Sequence, residues 1–226
     1  MQRTRRIPFV LIAAGVLCGS IPASALTSSD PNWWLSCFSR LGALGDDSSA
    51  IFNVGMMLAG SVIALTAVPI GIGLRGASPA GFRAPRGAVT VVPALVAALG
   101  VSLILVGVLP LSFNVFAHER AANGALASSA GLLLMHRIHL RGLSPLLNRI
   151  ALAAVVVLVL GMAALIGGVI TLTIFEALAF GVVITWLHVL ETQVRRFAVA
   201  PRTFSANSQQ IVLSPIWGTR TSGATV

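Results

Sequence analysis

Residues Ile150–Leu190 read IALAAVVVLVLGMAALIGGVITLTIFEALAFGVVITWLHVL, a run of 41 residues in which Glu176 is the one formal charge. A helix rises about 1.5 Å per residue, so roughly 20 apolar residues cross a hydrocarbon core about 30 Å thick. The run is too long for one crossing and suits two, so the chain must turn back inside it. Two places fit the turn, Thr171–Glu176 and Gly167-Gly168. The first leaves Glu176 at the membrane edge, which is the expectation. The second buries it in the bilayer, where an ionisable group is costly and requires a partner such as Arg120 or His118.

The rest of the chain repeats this pattern. Uncharged runs at 7–29, 48–74, 87–118 and 121–136 predict helices near 7–26, 50–74, 88–111 and 121–137, and the opening run supplies two more near 150–171 and 174–192. The fourth is the softest. It carries Asn123, Ser128 and Ser129, falls under a strict hydropathy threshold, and should turn those serines toward protein or a cavity. That places it centrally in the bundle. Composition agrees: 56% of the 226 residues are hydrophobic and 9% charged, with a mean hydropathy of +0.93. A water-soluble domain carries about 25% charged residues, so a soluble globule, a disordered chain and a coiled coil are all excluded. Two cysteines are too few for a disulfide scaffold. The predicted fold class is all-α, a polytopic membrane protein built as a six-transmembrane-helix bundle over residues 1–194. A flexible cytoplasmic tail follows over 195–226.

Every one of the 15 basic residues is arginine. With these spans, thirteen of them (Arg3, Arg5, Arg6, Arg75, Arg83, Arg86, Arg137, Arg141, Arg149, Arg195, Arg196, Arg202 and Arg220) fall on one surface, leaving Arg40 and Arg120 on the other. The acidic residues do the reverse: Asp30, Asp46, Asp47, Glu119 and Glu176 oppose the arginines, and Glu191 alone joins them. Arginine-rich loops stay in the cytoplasm, so the reading is a multi-pass plasma-membrane protein with both termini cytoplasmic. The net charge of +9 is then a topology signal, with anionic inner-leaflet lipid as a secondary attraction. Nucleic acid is not an expected partner, because no aromatic residues interleave a basic patch.

The first segment also has the layout of a signal peptide: basic Met1–Arg6, apolar Phe9–Ile21, then Ala23-Ser24-Ala25. Cleavage would leave five helices in the same orientation. The retained helix is the expectation.

Several short elements carry a resemblance. Ser39-Arg40-Leu41-Gly42 precedes Ile51-Phe52-Asn53 and Gly60, and Gly107-Val108-Leu109-Pro110 precedes Ala117-His118-Glu119. Over residues 7–192 the chain resembles the bacterial domain-of-unknown-function 998 family, which is similar to the DRAM-type six-helix membrane protein superfamily. Arg40 departs from the acidic residue more usual before the Leu-Gly pair. The resemblance implies a compact six-helix bundle linked to lipid biology, with no established catalytic residues.

The candidate outer-face polar site comprises Arg40, Asp46, Asp47, Asn114, His118, Glu119, Arg120 and Glu176, with Trp33 and Trp34 as an interfacial anchor. Carboxylates beside a histidine suit general acid–base chemistry. A plainer role is also available: Asp46 and Asp47 precede an apolar run and suit the N-terminus of the second helix. Histidine is the side chain that changes charge near neutral pH, so His118 also suits a proton relay. On the inner side His136 and His139 are flanked by Arg137 and Arg141, which disfavours a divalent metal and favours contact with anionic lipid. His188 and Glu191 have the spacing of a helical pair. No metal-ligand spacing, phosphate-binding glycine loop or hydrolase motif is present, so no cofactor or metal is expected. The expected partners are membrane lipids and other membrane proteins, and the leading function is non-enzymatic. A small transporter or lipid translocator, lined by the fourth helix and Glu176, is one alternative. A membrane-embedded lipid hydrolase or transferase is the other.

Overall fold

The computed structural model describes residues 7–76 and 84–199, with side chains through Arg196. Arg3, Arg5, Arg6, Arg83, Arg202, Arg220 and most of the predicted tail lie outside the described residues. Six long helices run Phe9–Thr27 (α1), Asp47–Gly76 (α2), Arg86–Val108 (α3), Val115–Met135 (α4), Pro145–Ile166 (α5) and Leu172–Val199 (α6). Two short 3₁₀ turns, Trp33–Leu35 and Phe38–Ala43, lie between α1 and α2, and a π turn, His136–Leu140, follows α4. There is no strand among the described residues. All but α4 are long and apolar enough to cross a membrane. The protein is a polytopic membrane helical bundle.

The helix ends follow local chemistry more closely than charge counting does. α5 stops where the chain carries a glycine pair. Gly168 adopts a φ of +69°, Val169 N–H donates to the Ala164 carbonyl at 2.8 Å and Gly168 N–H to that of Leu165 at 3.0 Å. This is a Schellman ending, which needs the left-handed conformation that glycine adopts without strain. The reversal therefore occupies Gly167–Thr171, earlier than the expected Thr171–Glu176. Glu176 then sits inside α6, where its partner is the backbone N–H of Phe38, at 2.7 Å, in place of the expected Arg120 or His118. α4 starts at Val115, earlier than expected, because Asn114 caps it, accepting from Ala117 N–H at 3.0 Å. α5 starts at Pro145, also early, since proline fits the first helical position and Asn148 and Arg149 ride on the first turns.

Pro8, which precedes α1, has no side chain to satisfy the free N–H groups of the helix start. Glu191, fully buried on α6, supplies the acceptors: its Oε1 and Oε2 take the N–H groups of Phe9 and Val10 at 2.9 and 3.0 Å. Arg195 pairs with the same carboxylate and lies over the Phe9 ring. The expected His188–Glu191 pair is not formed, because the carboxylate is committed to α1 and Arg195. At the other end of α1, the fully buried Ser24 donates to the Ser48 carbonyl at 2.8 Å.

α2 is the centre of the packing, with α1, α3 and α6 around it; α4 packs along α3, and α5 along α6. This corrects the expectation that α4 is central. α2 and α3 approach at backbone distance. A Cβ on Gly60 would stand 2.6 Å from the Gly100 carbonyl oxygen, so small residues set the spacing, as they do between helices in lipid. The core includes Phe52, Met56, Ile63 and Ile70 of α2, Val92, Val96, Leu99 and Leu103 of α3, and Trp186, Leu187 and Leu190 of α6. The outer surface is greasy: Leu65 of α2 and Leu160 of α5 are 60% and 64% exposed. α4 makes no extended contact with α5 or α6 among the described residues, and a cleft remains between them. Alternating helix directions put Arg75, Arg86, Arg137, Arg141, Arg149, Arg195 and Arg196 at one end of the bundle and Asp30, Asp46, Asp47, Glu119 and Glu176 at the other. These are the arginine-rich and acidic ends.

Candidate functional site

At the acidic end the 28–46 connection is drawn over the helices as a lid, and side chains from three helices hold it. On α2, Ser48 and Ser49 hydroxyls donate to the Leu41 carbonyl at 3.1 and 3.2 Å, and Asn53 donates to that of Gly42 at 3.1 Å. On α6, Glu176 accepts from Phe38 N–H. On α4, buried His118 reaches two segments: its Nδ1 is 2.7 Å from the Leu109 carbonyl oxygen, just past α3, and its Nε2 is 2.8 Å from the Ser39 hydroxyl. A carbonyl can only accept, so the network assigns the proton to Nδ1 and makes Nε2 the acceptor from Ser39.

Beneath the lid lies a cavity of about 330 Å³. Phe38 and Ser39 form part of its wall at the lid; Phe52, Met56 and Ile63 of α2, Leu99 and Leu103 of α3, and Phe175, Phe180 and Leu187 of α6 form its apolar sides. α4 contributes Asn123 and Ser129, so one of the two serines flagged in the sequence faces the cavity; Ser128 is buried. Glu176 is the one ionisable side chain among the lining residues. Leu126 and Leu172 also line the cavity while 47% and 41% exposed, so the space opens sideways, between α4 and α6. From the lid it reaches Ile63 and Leu187, about halfway along α2 and α6.

The sequence-predicted polar residues do not converge. Arg40 pairs with Asp30 at 3.3 Å in an exposed position. Asp46 accepts from Ser29 Oγ and N–H at 2.6 and 3.0 Å, from Ser48 Oγ, and from Ser49 N–H at 3.3 Å, which caps α2 and ties the lid's start to its end. Those donors hold its carboxyl well below the usual carboxylate range, the Ser29 hydroxyl most of all. Asp47 is exposed in the first turn of α2. Asn114 caps α4. Glu119 is exposed, and Arg120 lies 4.8 Å over the Phe116 ring. Trp33 stacks on Phe38, with ring centroids 6.0 Å apart, while Trp34 is exposed. Of the predicted set, His118 and Glu176 alone bind the part of the lid that covers the cavity. Sequence reasoning missed Ser39, Asn123, Phe38, Phe175 and Phe180 as wall residues. Ser39 stood inside a quoted motif, but its partner lies 79 positions away.

At the arginine-rich end, His136 is buried edge-on against Trp186, with ring centroids 5.9 Å apart, and burial lowers its proton affinity below the ordinary histidine value. Arg137 and Arg141 are exposed. No group of three metal-ligating side chains occurs among the described residues.

A family model described as "Protein of unknown function (DUF998)" matches residues 11–192. No curated protein and no solved structure matches the chain.

Proposed function

The chain belongs to the DUF998 family of proteins of unknown function, and from that premise we propose that it is a non-enzymatic plasma-membrane protein that holds the apolar chain of a membrane amphiphile in its cavity. The carrying observation is the 330 Å³ space, walled by aliphatic and aromatic side chains and opening sideways past Leu126 and Leu172. Pockets that hold small ligands run from about 300 to 1,000 Å³ and combine apolar walls with a few polar groups. The cavity stops about halfway along the bundle, which favours holding over conduction. Arginine-rich segments favour the cytoplasm, which supports a reading with both termini inside and the lid facing outward. Accessibility tests the orientation in a background with Cys18 and Cys37 replaced by serine: cysteine at Asn32 should react with an impermeant maleimide on intact cells, and cysteine at Arg141 should react after permeabilisation alone. For the ligand, tritiated oleyl alcohol should bind saturably to the protein in nanodiscs. Ala179→Trp, which fills the cavity from α6, should abolish that binding while leaving thermal stability within a few degrees. Absent or unchanged binding would refute the reading.

A second reading has one observation behind it. Ser39 lines the cavity and donates to His118 Nε2, while a carbonyl orients the other ring nitrogen, the relation of nucleophile, base and orienting group. In a lipid esterase, Ser39 Oγ would attack the ester carbonyl and pass its proton to His118. The imidazolium would return that proton to the departing alcohol, and water would then release the acid from Ser39. A carbonyl gives that imidazolium no anionic partner, so holding remains the lead. Labelling by a fluorophosphonate that disappears in Ser39→Ala would establish the esterase.

A further inference from the structure

The position of Glu176 identifies the head of the occupant as well as its tail. Resting on the chain-holding reading above, we infer that the cavity selects a lipophilic monocation, an amphiphile with an ammonium head. Three observations converge. Glu176 is the one charged group among the lining residues, and among the described residues no arginine or histidine lines the cavity with it. Its hydrogen bond engages Oε2 with Phe38 N–H, leaving Oε1 without a protein donor among the described residues. Phe38, Phe175 and Phe180 line the same cavity, and aromatic faces attract ammonium groups, more strongly once water is excluded.

The two arginines of the acidic end are engaged elsewhere, Arg40 by Asp30 and Arg120 over Phe116. A half-buried carboxylate facing an apolar space is costly without a countercharge, and a ligand cation supplies one. An anionic amphiphile would place like charges together, and a neutral one would leave the carboxylate uncompensated. The lateral opening lets the chain remain in an apolar phase while the head moves under the lid. The lid latch does not depend on the charge: glutamine at 176 keeps an oxygen that accepts from Phe38.

The test compares three probes of equal chain length, oleyltrimethylammonium, oleyl alcohol and oleate, with the full-length protein in nanodiscs. The native protein should bind the ammonium at least tenfold more tightly than the alcohol and leave oleate unbound. Glu176→Gln should bring ammonium and alcohol to within about threefold of each other and leave alcohol binding unchanged. Glu176→Asp should restore part of the preference, and Phe175→Leu should weaken the ammonium alone. Equal binding of the two probes to the native protein, or an ammonium preference that survives Glu176→Gln, would overturn the inference. Alcohol binding without ammonium binding would overturn it and leave the chain-holding reading intact, whereas silence from all probes would end both. If Glu176→Gln fails to fold, Phe175→Leu decides alone, because a preference unchanged there contradicts the aromatic contribution.

Discussion

His118 is the residue on which the lid turns. Both ring nitrogens are used, and both partners belong to segments that could otherwise separate. Ser39→Ala leaves Nε2 buried without a donor, at a cost of about 1–3 kcal/mol. The expected outcome is a lower thermal midpoint together with faster modification of Cys37, which lies two positions before Ser39. A lower midpoint with unaltered Cys37 reactivity would show that the bond stabilises the bundle without holding the lid. His136 and Asp46 make separate predictions about acid. His136 is held below its ordinary value of 6.5 by burial, so the unfolded chain takes up this proton first. Native stability should therefore fall as pH drops below about 6.5, with a slope that His136→Gln removes. Asp46 is held below its ordinary 3.8, so its contribution is complete above that value and is lost on further acidification. Asp46→Asn should flatten the lower limb of the curve of thermal midpoint against pH and leave the upper limb alone.

At the scale of elements, helix existence was legible and helix partnership was not. Hydropathy located five spans, and Asn123, Ser128 and Ser129 correctly marked the fourth as soft. The glycine pair that ends α5 was visible too, but charge counting gave it less weight than its left-handed requirement deserved. What no local pattern carried was Glu191, which caps a helix 181 positions away. Its spacing from His188 suggested a neighbour in the same helix, while the orphan N–H groups after Pro8 were the stronger demand. Glu191→Ala should cost about 3 kcal/mol, since it strands the part-buried Arg195 and two helix-start donors, of which that of Val10 is buried. Protease digestion in nanodiscs should then cut first near Phe9. Gly100→Val forces a branched side chain against the α2 backbone, where a Cβ on Gly100 would meet Gly60 O 2.5 Å away. The expected loss is about 1–3 kcal/mol, read as a lower midpoint, with Gly181→Ala as a neutral control because no atom of the described residues stands within 4 Å of a Cβ there.

For the whole molecule, the first helix decides how many elements the mature bundle keeps. Val10 and Ala13 are fully buried, Leu17 nearly so, and Ser24, the centre of the small-residue motif, is sealed against α2. Intact-mass measurement of the mature protein should therefore retain the 9–27 segment; a chain starting at Leu26 would remove the Glu191 clamp and one wall of the packing around α2. Charge sorting gave the arrangement of ends, but the cavity was hidden because its walls come from five separate helices and one loop. The missing seam between α4 and α6 has a consequence for pharmacology. A ligand that enters by that route arrives from the lipid phase, so its effective concentration is set by partitioning and is counted per lipid. Dose–response curves taken at different lipid-to-protein ratios should superimpose when plotted as mole fraction in the bilayer and diverge when plotted as molarity in water.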